Sequence, residues 1–408
     1  MTTHKPRLTL AAVFFTFFID NLCWAIVFPI FAPYFLDVGN VVFSSSVSAA
    51  TRTTLLGFFL MAFSLGQFLG APLLGEYADR KGRKRALVIS TLGSLLGLGL
   101  SAWSMQEKNL WLLFVGRLFS GMFAGNLAIC VACVGDLSVN EAQKAKRFGR
   151  LSLTAGVSFV LGAFLGGKLS DSETSALFSL SFPLWVATFL TLINVLFVLF
   201  ACSETGELHP HRKFDVWEGF RSLVETLQTK RMRLIYGIYF LFLFAWMMLF
   251  QFMPVLMVDR FSFTSSNIGD LALFMGVCWA LGSGFFHHQL LKWFTALRVL
   301  EGCFLFFTVF CALLIFLTHV YTVLGVLGGA TLIGGLGWPL CTGVISNEAP
   351  KEIQGKVLGL SQSVQSLAMA LAPAVGGLAY QLMDGLPFLL GAVASLGAGA
   401  LYLTLKKR

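Results

Sequence analysis

Charge is what this sequence has least of. Only 12% of its 408 residues are Asp, Glu, Lys or Arg, while 57% are hydrophobic. Soluble domains carry about 25% charged residues, so a water-soluble globular chain is excluded. The six His are scattered. The pairs His209/His211 and His287/His288, read as loop residues, lack the partners a metal site needs. Most of the eight Cys lie inside apolar runs. Cys130 and Cys133 form a CxxC within one of them, and small packing residues are a plainer reading there than a redox or metal pair. No metal set, nucleophile–base arrangement or phosphate-binding loop is evident, so no enzyme is expected. The longest polar stretch, 203–231, leaves no soluble domain over. The first apolar run is too long for a signal h-region and lacks an A-x-A-like site at its end, so it reads as a retained span.

What the chain has in plenty is Phe and Gly, 42 and 41 residues. Gly is tolerated in membrane helices because it lets backbones approach closely. Runs of about 20 apolar residues each read as a membrane span. Twelve are present, at 8–36, 53–74, 86–104, 110–134, 148–169, 180–202, 232–257, 267–287, 297–318, 320–345, 356–383 and 386–405. The expected fold is an all-α membrane protein with twelve transmembrane helices, and the lipid bilayer is its first partner. With an even number of spans both termini share a side. That side collects 24 of the 29 Lys and Arg. The other side has only Arg52, Lys108, Lys168 and Arg260, and Arg117 lies inside a span. The positive-inside rule then places both termini and the central linker in the cytoplasm. The net charge of +9 reflects topology and anionic lipid, and no nucleic-acid partner is expected.

The chain repeats itself. Gly57 and Gly70 of span two fall on Gly269 and Gly282 of span eight at an offset of 212. At an offset of 210, Lys146, Gly149, Gly166 and Gly167 of span five fall on Lys356, Gly359, Gly376 and Gly377 of span eleven. Pro29 of span one answers to Pro254 of span seven. The expected organisation is a six-span half at 1–202, a cytoplasmic linker at 203–231 and a second six-span half at 232–408. Two pseudo-symmetric halves with a site at their interface is the plan of rocking transporters.

Between spans two and three stands GEYADRKGRKR, a charged knot in an apolar chain. Asp79 precedes a helix N-terminus, where a carboxylate is favoured. Arg83 follows four residues later, within pairing reach if the segment is helical. Gly75 is expected where a neighbouring helix comes close. A patch that only fixed orientation would need the Lys and Arg, but neither Asp79 nor the Gly spacing. The repeat copy, HHQLLKWFTAL at 287–297, has lost the Asp and nearly all the charges, so a latch built here would be one-sided. Gly75, Asp79, Arg80, Gly82, Arg83 and Lys84 resemble the signature between spans two and three of the major facilitator superfamily, and the twelve-span plan extends the likeness over the whole chain. Arg117, Gly121 and Gly125 resemble its span-four pattern. Asp136 and Arg147 match the acidic and basic positions of its 4–5 loop. Gly149, Gly162, Gly166 and Gly167 resemble the span-five signature of proton-driven drug exporters, but Ser158 replaces a Gly and Ala163 replaces the Pro. The resemblance implies a latch that opens and closes one end of a transporter. The missing Pro puts the direction of transport in question.

Asp20 and Arg117 are the charges placed deepest in apolar runs. Asp20 lies about 18 Å from the cytoplasmic end of span one at 1.5 Å per residue. Arg117 lies about 20 Å from the same face of a 30 Å core. A pair between them, direct or through water, would let a change of separation load or release a proton. The alternative is a fixed structural ion pair. Trp24, Gln67, Asn126, Trp246, Gln251, Trp338 and Gln362 are candidates to line a substrate cavity, each with helix–helix bonding as its plainer role. Asp270 and Glu301, near span ends, are expected to be solvated. The reading is a monomeric proton-coupled exporter of an amphiphilic or drug-like small molecule. It would use a proton gradient in place of any cofactor and sit in a bacterial inner membrane. A proton-coupled importer or facilitator of a small metabolite is the alternative on the same fold. A receptor would need neither the latch nor the titratable pair, and a channel would not need the repeat.

Overall fold

The computed structural model describes residues 6–37, 42–43, 46–172, 175–205, 229–348 and 354–406. Most of the central linker, with His209 and His211, lies outside the described residues. Within them the chain is helical, without strands. Twelve helices of 19 to 33 residues are long and apolar enough to cross a membrane: Pro6–Leu36, Ala49–Lys81, Arg83–Gln106, Leu110–Asp136, Lys146–Leu169, Phe182–Ala201, Lys230–Phe261, Ser265–Trp293, Ala296–Leu314, Val320–Ile345, Leu360–Leu382 and Leu386–Lys406. These are the twelve expected spans. Span eight runs further than expected, and His287 and His288 are helical rather than loop residues. The stretch HHQLLKW keeps its backbone bonded after the apolar run ends, with the Trp and Lys types that suit a membrane interface.

Three spans are irregular for identifiable reasons. Span one breaks at Val27, because Pro29 has no N–H for the helix ladder and Ile30 bonds back to the Val27 carbonyl. Span four breaks between Met122 and Asn126. There a Cβ on Gly121 would lie 2.0 Å from the Phe63 carbonyl oxygen, so only glycine lets span two in. Span eight makes a π-helical turn at Leu281–Phe286.

By contacts the chain forms two compact units. The first comprises Met1–Tyr34, Ala62–Val216 and Thr264–Leu273; the second comprises Phe35–Met61, Trp217–Phe263 and Phe274–Arg408. In the first, span one packs against spans five and six and the second half of span four, and span three against span six and the first half of span four. In the second, span seven packs against spans eleven and twelve, and span nine against spans ten and twelve. Span seven is the most buried of the twelve.

The glycines aligned by the repeat make one contact twice. In the first unit a Cβ on Gly167 would lie 2.7 Å from the Gly269 Cα. In the second a Cβ on Gly57 would lie 3.0 Å from the Gly377 Cα. Each crossing brings two backbones together without side chains between them. Beside the first, Lys168 pairs with Asp270 at 2.8 Å and donates to Ser266 at 2.9 Å. Asp270 is therefore ion-paired as well as half-exposed. Glu301 is likewise paired, with Lys406 at 2.7 Å.

Candidate functional site

The charged knot folds into a defined network in the first unit. Span two ends at Lys81 and span three begins at Arg83, with Gly82 between them at φ +103°. This backbone conformation is nearly restricted to glycine. It brings Arg83 back over the preceding turn, where its guanidinium reaches Asp79 at 2.6 Å and Asp136 at 3.4 Å. The expected Asp79–Arg83 pairing is present, and the acidic position of the 4–5 loop joins it. Arg147 instead donates to the Leu137 carbonyl at 2.6 Å and to the Ser138 hydroxyl at 3.3 Å, closing the end of span four. The Lys84 ammonium donates to the Leu199 carbonyl of span six at 2.9 Å. Arg80 lies on the last turn of span two. Gly75 differs from expectation. A Cβ there would have nothing within 4 Å, so no close helix approach requires glycine in this conformation.

Sequence reasoning missed the residue that organises this knot. Glu204, three residues beyond span six, accepts from the Arg83 N–H at 2.5 Å and from the Lys84 N–H at 3.2 Å. It caps the first turn of span three from a segment 121 residues away. The N–H groups opening a helix lack internal partners, and a carboxylate suits them by hydrogen bonding and by the helix dipole. Thr205 beside it donates to Asp136 at 3.4 Å. The one signal in the sequence was an acidic residue just after an apolar run.

Deeper in the same unit lie part-buried Asp20 and buried Arg117. Asp20 stands in the middle of span one, and its Oδ2 is buried without a hydrogen-bond partner. Arg117 is 4% exposed. Its guanidinium lies 5.3 Å from the Phe31 ring centre and 4.6 Å from that of Phe63, in cation–π range of both. Its Nε has no hydrogen-bond partner. No direct ion pair joins Arg117 to Asp20 among the described residues. The expected equal depth fails: the rings of Phe31 and Phe63 hold the guanidinium, and Phe31 stands eleven residues, about 16 Å, along span one from Asp20.

The polar candidates separate by role. Gln67 donates to the Ala124 carbonyl at 3.4 Å, satisfying an oxygen at the break in span four, so it bonds helix to helix. Asn126, just past that break, is fully buried with neither amide atom hydrogen-bonded. Trp24 packs against Phe159 with ring centres 5.6 Å apart. On span five, Gly162 and Gly166 face the Leu22 and Ile26 carbonyls of span one, where added Cβ atoms would lie 2.4 and 2.1 Å away. Gly149 faces open space. Ala163, standing where the exporter signature has Pro, is fully buried with Ala25 and Ala272.

In the second unit Trp246 and Trp338 meet through Trp279, a residue the sequence reading did not single out. Ring centres of Trp246 and Trp279 are 4.6 Å apart, and those of Trp279 and Trp338 are 5.6 Å apart. A signal existed, because the offset of 212 between spans two and eight maps Gln67 onto Trp279. Gln251 is half-buried on span seven and Gln362 is exposed on span eleven.

Likeness to known proteins shows the family and the fold. The family model of the Major Facilitator Superfamily matches residues 13–373. The chain is 26% identical over 365 residues to the class B tetracycline resistance protein of Escherichia coli, covering 82% of each. Among solved structures it resembles the human organic anion transporter MFSD10 (TETRAN), with a TM-score of 0.72, 20% identity and coverage of 98% of this chain and 100% of that one. It also resembles the D-xylose-proton symporter, with a TM-score of 0.75, 12% identity and coverage of 97% of each chain.

Proposed function

The chain belongs to the major facilitator superfamily, and from that premise we propose that it exports an amphiphilic, drug-like compound in exchange for protons. The observation that carries this reading is Asp20, a carboxylate in mid-span with a buried, unpartnered oxygen. An ionised carboxylate left so costs several kcal/mol. A bound proton removes that cost, so proton occupancy and conformation become linked. Arg117 lies in the same unit, held by aromatic rings rather than by an acid. In this reading the proton alone neutralises Asp20 while the carboxyl is shut away from water, and it leaves when a change of conformation hydrates the carboxylate. The two six-span halves, 1–202 and 232–408, alternate access, and the Asp79–Arg83–Asp136 network latches the cytoplasmic end. Likeness to a tetracycline resistance protein supports export. We place both termini in the cytoplasm of a bacterial cell, on a monomer in the inner membrane, with the proton gradient as the driving force and no cofactor.

One observation favours a second reading. Ala163 replaces the Pro of the exporter signature, and a D-xylose-proton symporter shares the fold. Proton-coupled import therefore stands as the alternative on this architecture. The test is proton flux in sealed proteoliposomes carrying an internal pH dye, with pooled candidate substrates, comparing wild type and Asp20→Asn. Outward substrate movement against inward protons, lost in Asp20→Asn while binding persists, supports proton-coupled export. Co-movement supports import. Substrate flux without protons in both proteins sinks the coupling role of Asp20.

A further inference from the structure

The second unit holds an aromatic cluster that proton coupling does not use. Trp246 is its base. It is 5% exposed and backed by Phe250 and Phe307, with ring centres 5.8 and 6.3 Å away. Trp279 leans on it with an interplanar angle of 49°, and Trp338 meets Trp279 edge to face at 82°. Trp279 and Trp338 are only part-buried. Span ten is bare backbone beneath these rings. A Cβ on Gly334 would lie 2.6 Å from the Trp246 ring and 3.2 Å from that of Trp279. One on Gly335 would lie 2.6 Å from the Trp279 carbonyl oxygen. Two residues after Trp279, at Leu281, span eight begins its π-helical turn. Such turns re-aim the side chains beside them and recur at functional sites.

Thr331, Gly334, Gly335 and Trp338 are spaced i, i+3, i+4 and i+7 along span ten, so they share one face. Thr331 is 1% exposed, and its hydroxyl has no hydrogen-bond partner. A buried hydroxyl left unpaired is destabilising, and a ligand that bonds to it removes the penalty. No Asp, Glu, Lys or Arg stands in 234–258, 271–291 or 302–345. An ion pair with the middle of spans seven to ten is therefore not available to a substrate. Ring stacking and a neutral hydrogen bond are.

We infer that Trp279 and Trp338 form a subsite for a planar aromatic part of the substrate, with the Thr331 hydroxyl bonding a polar group on the ring edge. The ligand class is a planar aromatic compound that is neutral or carries delocalised charge. The word substrate rests on the transporter reading above; the binding geometry does not.

The test uses purified full-length protein in detergent, titrated with ethidium and acridine orange as planar probes and tetrapentylammonium as a ringless cation. Dye fluorescence and quenching of protein fluorescence report binding. Wild type binds the planar dyes saturably and more tightly than tetrapentylammonium. Trp279→Leu weakens dye binding about tenfold, while Trp279→Phe, which keeps a ring, stays within about threefold. Thr331→Val weakens it by a smaller factor. Melting curves of each variant separate lost binding from lost fold, and Trp338→Leu, expected to weaken dye binding by a similar factor, carries the test if Trp279→Leu does not fold. Saturable binding of neither dye overturns the inference. So does an unchanged affinity in Trp279→Leu, or equal weakening of all three probes. Dye flux in proteoliposomes separates the two readings. Binding through Trp279 without proton-linked flux defeats the export reading and leaves the subsite standing. Intact flux and affinity in Trp279→Leu defeats the subsite alone.

Discussion

Gly82→Ala will destabilise the protein more than removal of the carboxylate it faces. Two effects act together. At φ +103° and ψ 151°, an L-residue costs about 1–3 kcal/mol. The added Cβ would also lie 2.2 Å from one Glu204 oxygen and 2.6 Å from its carboxyl carbon. Glu204 must retreat, and the Arg83 and Lys84 N–H groups lose their acceptor. Losing a cap of this kind costs about 1–2 kcal/mol. Glu204→Ala alone loses only the cap, so Gly82→Ala should cost about 2–5 kcal/mol against about 1–2. The Asp79–Arg83 pair cannot reverse that order. Asp79 is 40% exposed, and such a pair is worth about 0.3–0.5 kcal/mol. In the double variant Gly82→Ala/Glu204→Ala the cap is lost once and the collision disappears. Its cost should fall short of the sum of the single costs by about 1–2 kcal/mol. Thermal melting of the four proteins in one detergent measures the cycle. Equal melting of the two single variants, or strict additivity in the double, would refute the claim that Gly82 is required by Glu204.

Two further outcomes follow from the packing. Gly166→Ala, whose Cβ would lie 2.1 Å from the Ile26 carbonyl, should cost about 1–3 kcal/mol by overpacking. Gly149→Ala on the same helix, facing open space, should be neutral or slightly stabilising through helix propensity, and parallel melts of the two compare them directly. Arg260 holds Asp384 through two nitrogens, at 2.8 and 2.7 Å, and donates to the Leu317 carbonyl at 3.1 Å. Arg260→Lys cannot reproduce that fork, so it should lower the melting temperature more than Lys406→Ala, which removes one exposed pair. A larger drop for Lys406→Ala would count against the geometry.

Much of this architecture was legible before any coordinates. Twelve apolar runs became twelve helical spans, because a run about 20 residues long in this composition has one way to satisfy its backbone in lipid. The offsets of 210 and 212 announced Gly57, Gly167, Gly269 and Gly377, although not that they meet in pairs. Asp79 and Arg83 are four residues apart, so their contact could be read from spacing, although it forms across the break at Gly82 and not along one helix. Gly75 was misread for the opposite reason. Whether a glycine is crowded depends on a neighbouring helix that its own segment does not specify.

Asp20 and Arg117 show the same limit. The position of each along its own span follows from residue counts at 1.5 Å rise. Their partners do not, since the axial shift of span four against span one, and the rotation of each, decide whether Arg117 meets an acid or the rings of Phe31 and Phe63.

Composition, hydropathy period and motif spacing by themselves determined the membrane placement, the number of spans, the repeat and the charged knot, because each is a property of contiguous residues. Only the tertiary structure decided that Glu204 caps span three from 121 residues away, that Arg117 rests on aromatic rings, and that Trp279 joins Trp246 to Trp338. Those contacts arise when helices distant in sequence pack at fixed rotations, and no local period encodes that rotation.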